Sequence, residues 1–207
     1  MGGTMTADPL HTHDGDSALP AWAIPPRGGF TAADLDRIPD LPPHTELIDG
    51  SLVFVSPQRS FHMLAMSMLE TALRTLAPDH LRVRREMSVV LNNRNRPEPD
   101  ITLVRASAVS DEADETGYDR ADVVLAVEVV SPESEERDRK RKPQLYAEAG
   151  IPHFWRVEKG HGRRPVVYVY ELDPAVGVYV TNSIQHDRLK LTVPFDIDID
   201  LTAVDRL

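Results

Sequence analysis

The run Val123-Val-Leu-Ala-Val-Glu-Val-Val130 limits the architecture more than any other stretch of the chain. A strand with one wet face alternates apolar and polar residues, whereas a near-continuous apolar run is the pattern of a strand covered on both faces. Such a strand needs a layer above and a layer below it, and the sequence has helices to offer. From Arg59 to Leu76 the residues Phe61, Leu64, Ala65, Met68, Leu69, Ala72 and Leu76 recur at helical spacing, and Pro78-Asp79 ends the run. A second helix is predicted to end at Ala149, with Gly150 in the C′ position.

Shorter elements surround these. Thr31 is an N-cap for a short helix through Ile38, and Asp49-Gly50 between two apolar runs predicts a hairpin. Arg82 to Leu91 reads as a strand, Asn92 to Pro97 as a turn-rich segment, and Asp100 to Val104 as another strand. Further strands are predicted over His153–Val157, Pro165–Leu172 and Val176–Thr181, with one more near Leu189–Val193. The order of elements predicts an α/β (α+β) fold, a mixed central sheet with flanking helices. Residues 1–28 read as a flexible leader, 29–195 as the folded domain and 196–207 as an acidic tail.

Composition excludes several classes. The chain of 207 residues has no cysteine, which removes disulfide scaffolds, zinc ribbons and thiol catalysis and fits a reducing cytoplasm. No apolar run approaches the roughly 20 residues of a membrane span. The first residues lack the basic and apolar regions of a signal peptide, so a soluble cytoplasmic protein is expected. The net charge of −10 lies in residues 1–28, 110–122 and 196–207, leaving a balanced body without a long-range basic field.

Glu128 is the anomaly within the apolar run. Burying a carboxylate there costs several kcal/mol unless a cation compensates it. Asp100 follows Pro97-Glu-Pro99 at the start of another strand, and two carboxylates on adjacent strands can share a hard cation such as Mg²⁺. An arginine partner for Glu128 is the alternative. Lys142 shares a helical face with Leu145, Tyr146 and Ala149, and Pro143 suits a helix start. It either turns inward, beside the carboxylates, or snorkels outward with Arg139, Lys140 and Arg141. His62 lies at the margin of the long helix's apolar face, where a histidine is usually a satisfied border residue. Arg137, Arg139, Lys140 and Arg141 alternate with Glu133, Glu135, Glu136 and Asp138, the pattern of a solvated ion-paired surface. Arg82, Arg84 and Arg85 form a second basic patch, and Phe154 and Trp155 are predicted core.

Glu46-Leu-Ile-Asp-Gly-Ser-Leu, Pro99-Asp100 and Val127-Glu-Val-Val-Ser-Pro132 resemble the Uma-type family of bacterial endonucleases, within the restriction-endonuclease-like PD-(D/E)XK superfamily. Lys142-Pro-Gln-Leu-Tyr-Ala-Glu-Ala-Gly-Ile-Pro-His-Phe-Trp155 extends the resemblance, which runs from about Thr31 to Thr181. It implies that Asp100 and Glu128 are metal carboxylates, that Glu46 is an auxiliary acid and that Lys142 is the catalytic lysine. The superfamily's usual lysine position, two residues after the second acid, is Val130, so the following helix would supply the lysine. Also implied are Mg²⁺, with Mn²⁺ as a substitute, and coordination by the carbonyl after Glu128. The expected activity is metal-dependent phosphodiester hydrolysis in DNA by a homodimer. Two alternatives share the fold: an inactive binding module, and a nuclease acting on RNA or a small nucleotide, which needs less basic surface.

Overall fold

The computed structural model describes residues 20–55, 58–110 and 116–207. A hairpin of β1 (Thr45–Ile48) and β2 (Ser51–Phe54) leads into helix α1 (Ser60–Leu76). Strands β3 (Leu81–Arg85), β4 (Ser88–Val90), β5 (Ile101–Arg105), β6 (Gly117–Asp119) and β7 (Val123–Val129) follow. A π-turn at Arg137–Arg141 runs into helix α2 (Lys142–Glu148). The chain then completes β8 (His153–Lys159), β9 (Pro165–Asp173), β10 (Val178–Gln185), β11 (Arg188–Leu191) and β12 (Ile197–Asp200).

Six strands build the central sheet in the order β10-β9-β8-β7-β5-β3. Of its neighbouring pairs only β7–β8 is parallel, and its connection contains α2, as parallel strands require a long crossover. The sheet is therefore mixed, as predicted. Strand β7 is covered on both faces: Leu125, Val127 and Val129 pack into the core under α1, and Ala126 packs with Leu145 and Tyr146 of α2. Trp155 and Phe154 of β8 are fully buried on these two opposite sides, so the predicted core assignment holds for both. Among the described residues no helix is long and apolar enough to cross a membrane.

Several short elements differ from the sequence expectation for local reasons. The segment read as one strand from Arg82 to Leu91 is two, because Glu86 takes a positive φ of 50° and redirects the chain. Strand β4 then pairs in parallel with β6, which lies within the stretch read as an acidic loop. Thr31 caps a 3₁₀ turn over Ala32–Asp34 instead of an α-helix, with Asp34 accepting from its backbone N–H at 2.7 Å and its hydroxyl at 2.8 Å. The acidic residues after Asp196 do not form a tail. Ile197 and Ile199 alternate with Asp198 and Asp200 in β12, so the isoleucines enter the core while the aspartates face out. Leu201 and Val204 continue that burial in a final 3₁₀ turn. Most of the expected leader, including His11 and His13, lies outside the described residues.

The first hairpin forms as predicted. Asp49 and Gly50 both have positive φ, 52° and 79°, the two-residue turn that matches strand twist. Gly50 is required twice over, since a Cβ there would stand 2.2 Å from the Arg94 guanidinium. The hairpin does not join the central sheet. It is tied to the Asn92–Arg96 turn by Gly50 N–H to the Arg94 carbonyl (2.8 Å), Leu47 N–H to the Arg96 carbonyl (3.0 Å) and Arg96 N–H to the Leu47 carbonyl (2.8 Å). Asp49 N–H adds a bond to Asn95 Oδ1 at 2.7 Å. The turn-rich segment is thus the anchor that places Glu46.

Candidate functional site

Strand alternation decides where Glu128 points. Val127 and Val129 face the α1 side, so the intervening Glu128 faces α2, where it is only 2% exposed. Glu46 on β1 is equally buried. Lys142, the first residue of α2, fills the space between them: Nζ lies 2.8 Å from Glu46 Oε1 and 3.0 Å from Glu128 Oε2. Of the two readings left open by periodicity, the inward one is observed, and Pro143 occupies the first turn of the helix. An arginine partner for Glu128 is not what compensates it.

Asp100 stands just before β5 and reaches across to β7. Its Oδ2 accepts the Val129 N–H at 2.6 Å, which fixes the carboxylate beside the residue after Glu128. Its Oδ1 lies 3.0 Å from Nε2 of His62. His62 is not a border histidine. The buried residues of α1 are His62, Ala65, Met66, Met68, Leu69 and Leu73, so Ala65, Met68 and Leu69 of the predicted stripe are buried together with His62, Met66 and Leu73 beside it. Glu46 Oε1 also accepts the Glu98 N–H at 2.9 Å.

All four residues expected from the sequence, Glu46, Asp100, Glu128 and Lys142, line one cleft of about 590 Å³. Two neighbours complete the cluster that sequence reasoning assigned elsewhere. Tyr146, predicted as apolar core, donates its hydroxyl to Glu128 Oε1 at 2.5 Å. Asp138, predicted as part of a solvated surface, is 1% exposed and has Oδ1 3.5 Å from Lys142 Nζ. Tyr146 lies one turn on from Lys142 on the same face of α2, whereas the turn that brings Asp138 inward is not visible in the sequence. Elsewhere in the charge run Arg139 pairs with Glu135 and Glu158, and Lys140 with Glu136, as expected, whereas Arg137 lines the cleft. Arg82, Arg84 and Arg85 do not act as one patch. Arg82 bonds the carbonyls of Asp79 and Leu81, Arg84 bonds the Tyr118 hydroxyl, and only Arg85 reaches the cleft.

The electrostatics follow from burial. Desolvation pushes the Glu128 carboxyl well above its ordinary pKa against the pull of Lys142, and Asp138 is raised for the same reason. Burial would lower the Lys142 ammonium, but Glu128, Glu46 and Asp138 together outweigh it and hold its pKa well above the usual value. Burial also opposes the charged form of His62, yet its bond to Asp100 and that residue's charge leave its pKa raised.

The donor set suits a hard divalent cation. Glu46, Asp100, Glu128 and Asp138 present carboxylate oxygens against one ammonium and one imidazole, an excess of negative charge that a cation would offset. Among the described residues no three acidic or imidazole groups converge on one point. Mg²⁺ does not ask for that, since it commonly takes one or two protein carboxylates and keeps water for the rest. Asp100 and Glu128 are two such carboxylates at the cleft.

Comparison with known proteins agrees with the fold. No curated protein matches the chain. A crystal structure from Anabaena variabilis ATCC 29413, described as "a putative nuclease belonging to DUF820", superposes with a TM-score of 0.64 at 15% identity, covering 84% of this chain and 97% of that one. At that identity the likeness establishes a shared fold. A family model described as "Putative restriction endonuclease" matches residues 32–203, and the chain therefore belongs to the Uma2 family.

Proposed function

We propose that the protein is a Mg²⁺-dependent endonuclease that hydrolyses phosphodiester bonds in DNA, with Asp100 and Glu128 as metal carboxylates, Glu46 as the auxiliary acid and Lys142 as the catalytic lysine. The observation that carries this reading is the Lys142 ammonium, held 2.8 Å and 3.0 Å from two buried carboxylates at a cleft that also receives Asp100. Mg²⁺, or Mn²⁺ in its place, would be held by Asp100, Glu128 and the Val129 carbonyl and would supply Lewis-acid activation of the phosphodiester and of the attacking water.

The chain's own groups perform the remaining tasks. Lys142 stays an ammonium at neutral pH, so it serves as a fixed positive charge opposite the negative charge that develops on the phosphate oxygens. Glu46 holds the ammonium from the hairpin side, and Tyr146 fixes the orientation of Glu128. Asp100 is oriented by the Val129 amide and His62. Arg59, Arg85 and Arg137 line the cleft, where they can meet flanking phosphates. The open edge of the sheet at β10, with Val178, Val180 and Ile184 exposed, supports assembly as a homodimer.

Titration calorimetry of Mg²⁺ and Mn²⁺ into wild type and Asp100→Ala, beside nicking of supercoiled plasmid, tests the reading. The expected result is metal binding lost in the variant and metal-dependent nicking by wild type only. Binding without cleavage of DNA would redirect the search to RNA or nucleotide phosphodiesters. No binding at millimolar metal would overturn the catalytic reading. It would favour a binding module, a role that fits the engagement of Arg59 and Arg85 with Glu133 and Glu86.

A further inference from the structure

Asp138 is the buried acid that the reading above leaves without a task. It belongs to the π-turn at Arg137–Arg141, a wider turn than an α-helix makes, rare in proteins and frequent at functional sites. That turn swings Asp138 inward while Arg139 and Lys140 on either side of Asp138's helical face remain in surface ion pairs. The side chain is held from behind. Its backbone N–H bonds the Ser134 carbonyl at 2.9 Å, and the Ser134 hydroxyl donates to Oδ2. Among the described residues Oδ1 has no hydrogen-bond partner, and it lies 3.5 Å from Lys142 Nζ.

An ammonium has three protons to give, and three carboxylates surround this one. Glu46 approaches from the hairpin, Glu128 from the central sheet and Asp138 from the turn that precedes α2. One carboxylate already neutralises one ammonium, so the third contact does not serve neutralisation. What it adds is direction: without a group on the π-turn side, the flexible four-carbon stem of the lysine could place its charge anywhere between Glu46 and Glu128.

We propose that Asp138 is a positioning residue, whose carboxylate, braced by Ser134, fixes the Lys142 ammonium at the point where the reaction needs it. The effect on turnover rests on the nuclease reading, whereas the effect on the ammonium itself does not. Outer partners of catalytic groups commonly carry about 10–100-fold in activity.

The test uses Asp138→Asn and Asp138→Ala with two readouts. The first is nitrogen-detected NMR of lysine side chains. The chain has four lysines, and Lys140, Lys159 and Lys190 are exposed, so only the Lys142 ammonium is shielded from exchange with water. A protected signal in wild type, weakened in Asp138→Asn and lost in Asp138→Ala, is expected. The second is plasmid nicking, where both variants should lower kcat about 10–100-fold with KM and metal affinity changed less than about threefold. Melting temperature separates positioning from simple support of the fold. Removing one of several crowded buried acids should leave the Asp138→Asn melting temperature equal to or above wild type. A melting temperature and activity that fall together, or an ammonium signal unchanged in Asp138→Ala, would overturn the proposal. If wild type nicks nothing yet the signal changes as expected, the positioning role stands and the nuclease reading fails.

Discussion

The two faces of the central sheet are built from the same strands and do opposite things. On the α1 side, Val127, Val129, Trp155 and Val169 meet Leu69, Leu73, Ile197 and Ile199 in a continuous apolar core. On the α2 side, the apolar packing of Ala126, Leu145, Tyr146 and Phe154 stops at Glu128, and a cleft lined with acids begins. One face is filled with hydrocarbon and gains stability from burial. The other spends stability on charge held away from water. A single strand, β7, separates the two, and its alternation sends valines one way and Glu128 the other.

This contrast can be broken from either side. The largest effect is expected from Trp155→Ala, which empties a fully buried position on the apolar face and should cost about 3–5 kcal/mol in denaturant unfolding. Lys142→Met comes next. It removes the ammonium shared by Glu46, Glu128 and Asp138, and uncompensated buried charge should cost about 3 kcal/mol by the same measurement. Glu128→Gln should behave differently, because Lys142 keeps Glu46 and Asp138 as partners. Its unfolding free energy should match or exceed wild type while plasmid nicking falls on the order of 100-fold. Equal destabilisation by Lys142→Met and Glu128→Gln would show that the cluster is a structural ion pair and not a site under electrostatic strain.

The smallest effect concerns the rim of the cleft. His44 Nδ1 lies 2.5 Å from Glu98 Oε1, and this bond raises the histidine's pKa against the opposing effect of burial. A raised folded pKa stabilises fully below the unfolded value and loses that contribution as pH rises through the folded one. Wild type should therefore be more stable than His44→Gln at pH 5.5, by less than about 1 kcal/mol for so exposed a pair, and the difference should vanish by pH 9. Thermal melts of both proteins across that range measure it.

The contrast between the faces also explains what the sequence disclosed. Val123–Val130 shows a doubly covered strand because apolar continuity is a local property, and Glu128 stands out against it. Asp100 and Lys142 could be singled out from a turn and a helical stripe, each visible within a few residues, and Glu46 from the family resemblance. Asp138 could not. Its neighbours Glu135, Glu136, Arg139 and Lys140 are surface ion-pairing residues, and only the π-turn, which leaves no compositional trace, turns it inward. His62 was hidden because the buried face of α1 is wider than the predicted stripe, and β12 by counting aspartates without their intervening isoleucines. The strand split at Glu86 depends on a single backbone angle.

The separation of the first hairpin from the central sheet has a mechanical consequence. Asp100 and Glu128 ride on the six-stranded sheet, while Glu46 rides on a two-stranded piece fastened by polar links to Arg94, Asn95 and Arg96 and by the Asp49–Arg141 ion pair. The acid set therefore spans a seam between two bodies, with Lys142 as the rivet. The distance from Glu46 to Lys142 is therefore set by how these polar links, with Leu47 and Ile48 buried beneath them, seat the hairpin on the rest of the molecule.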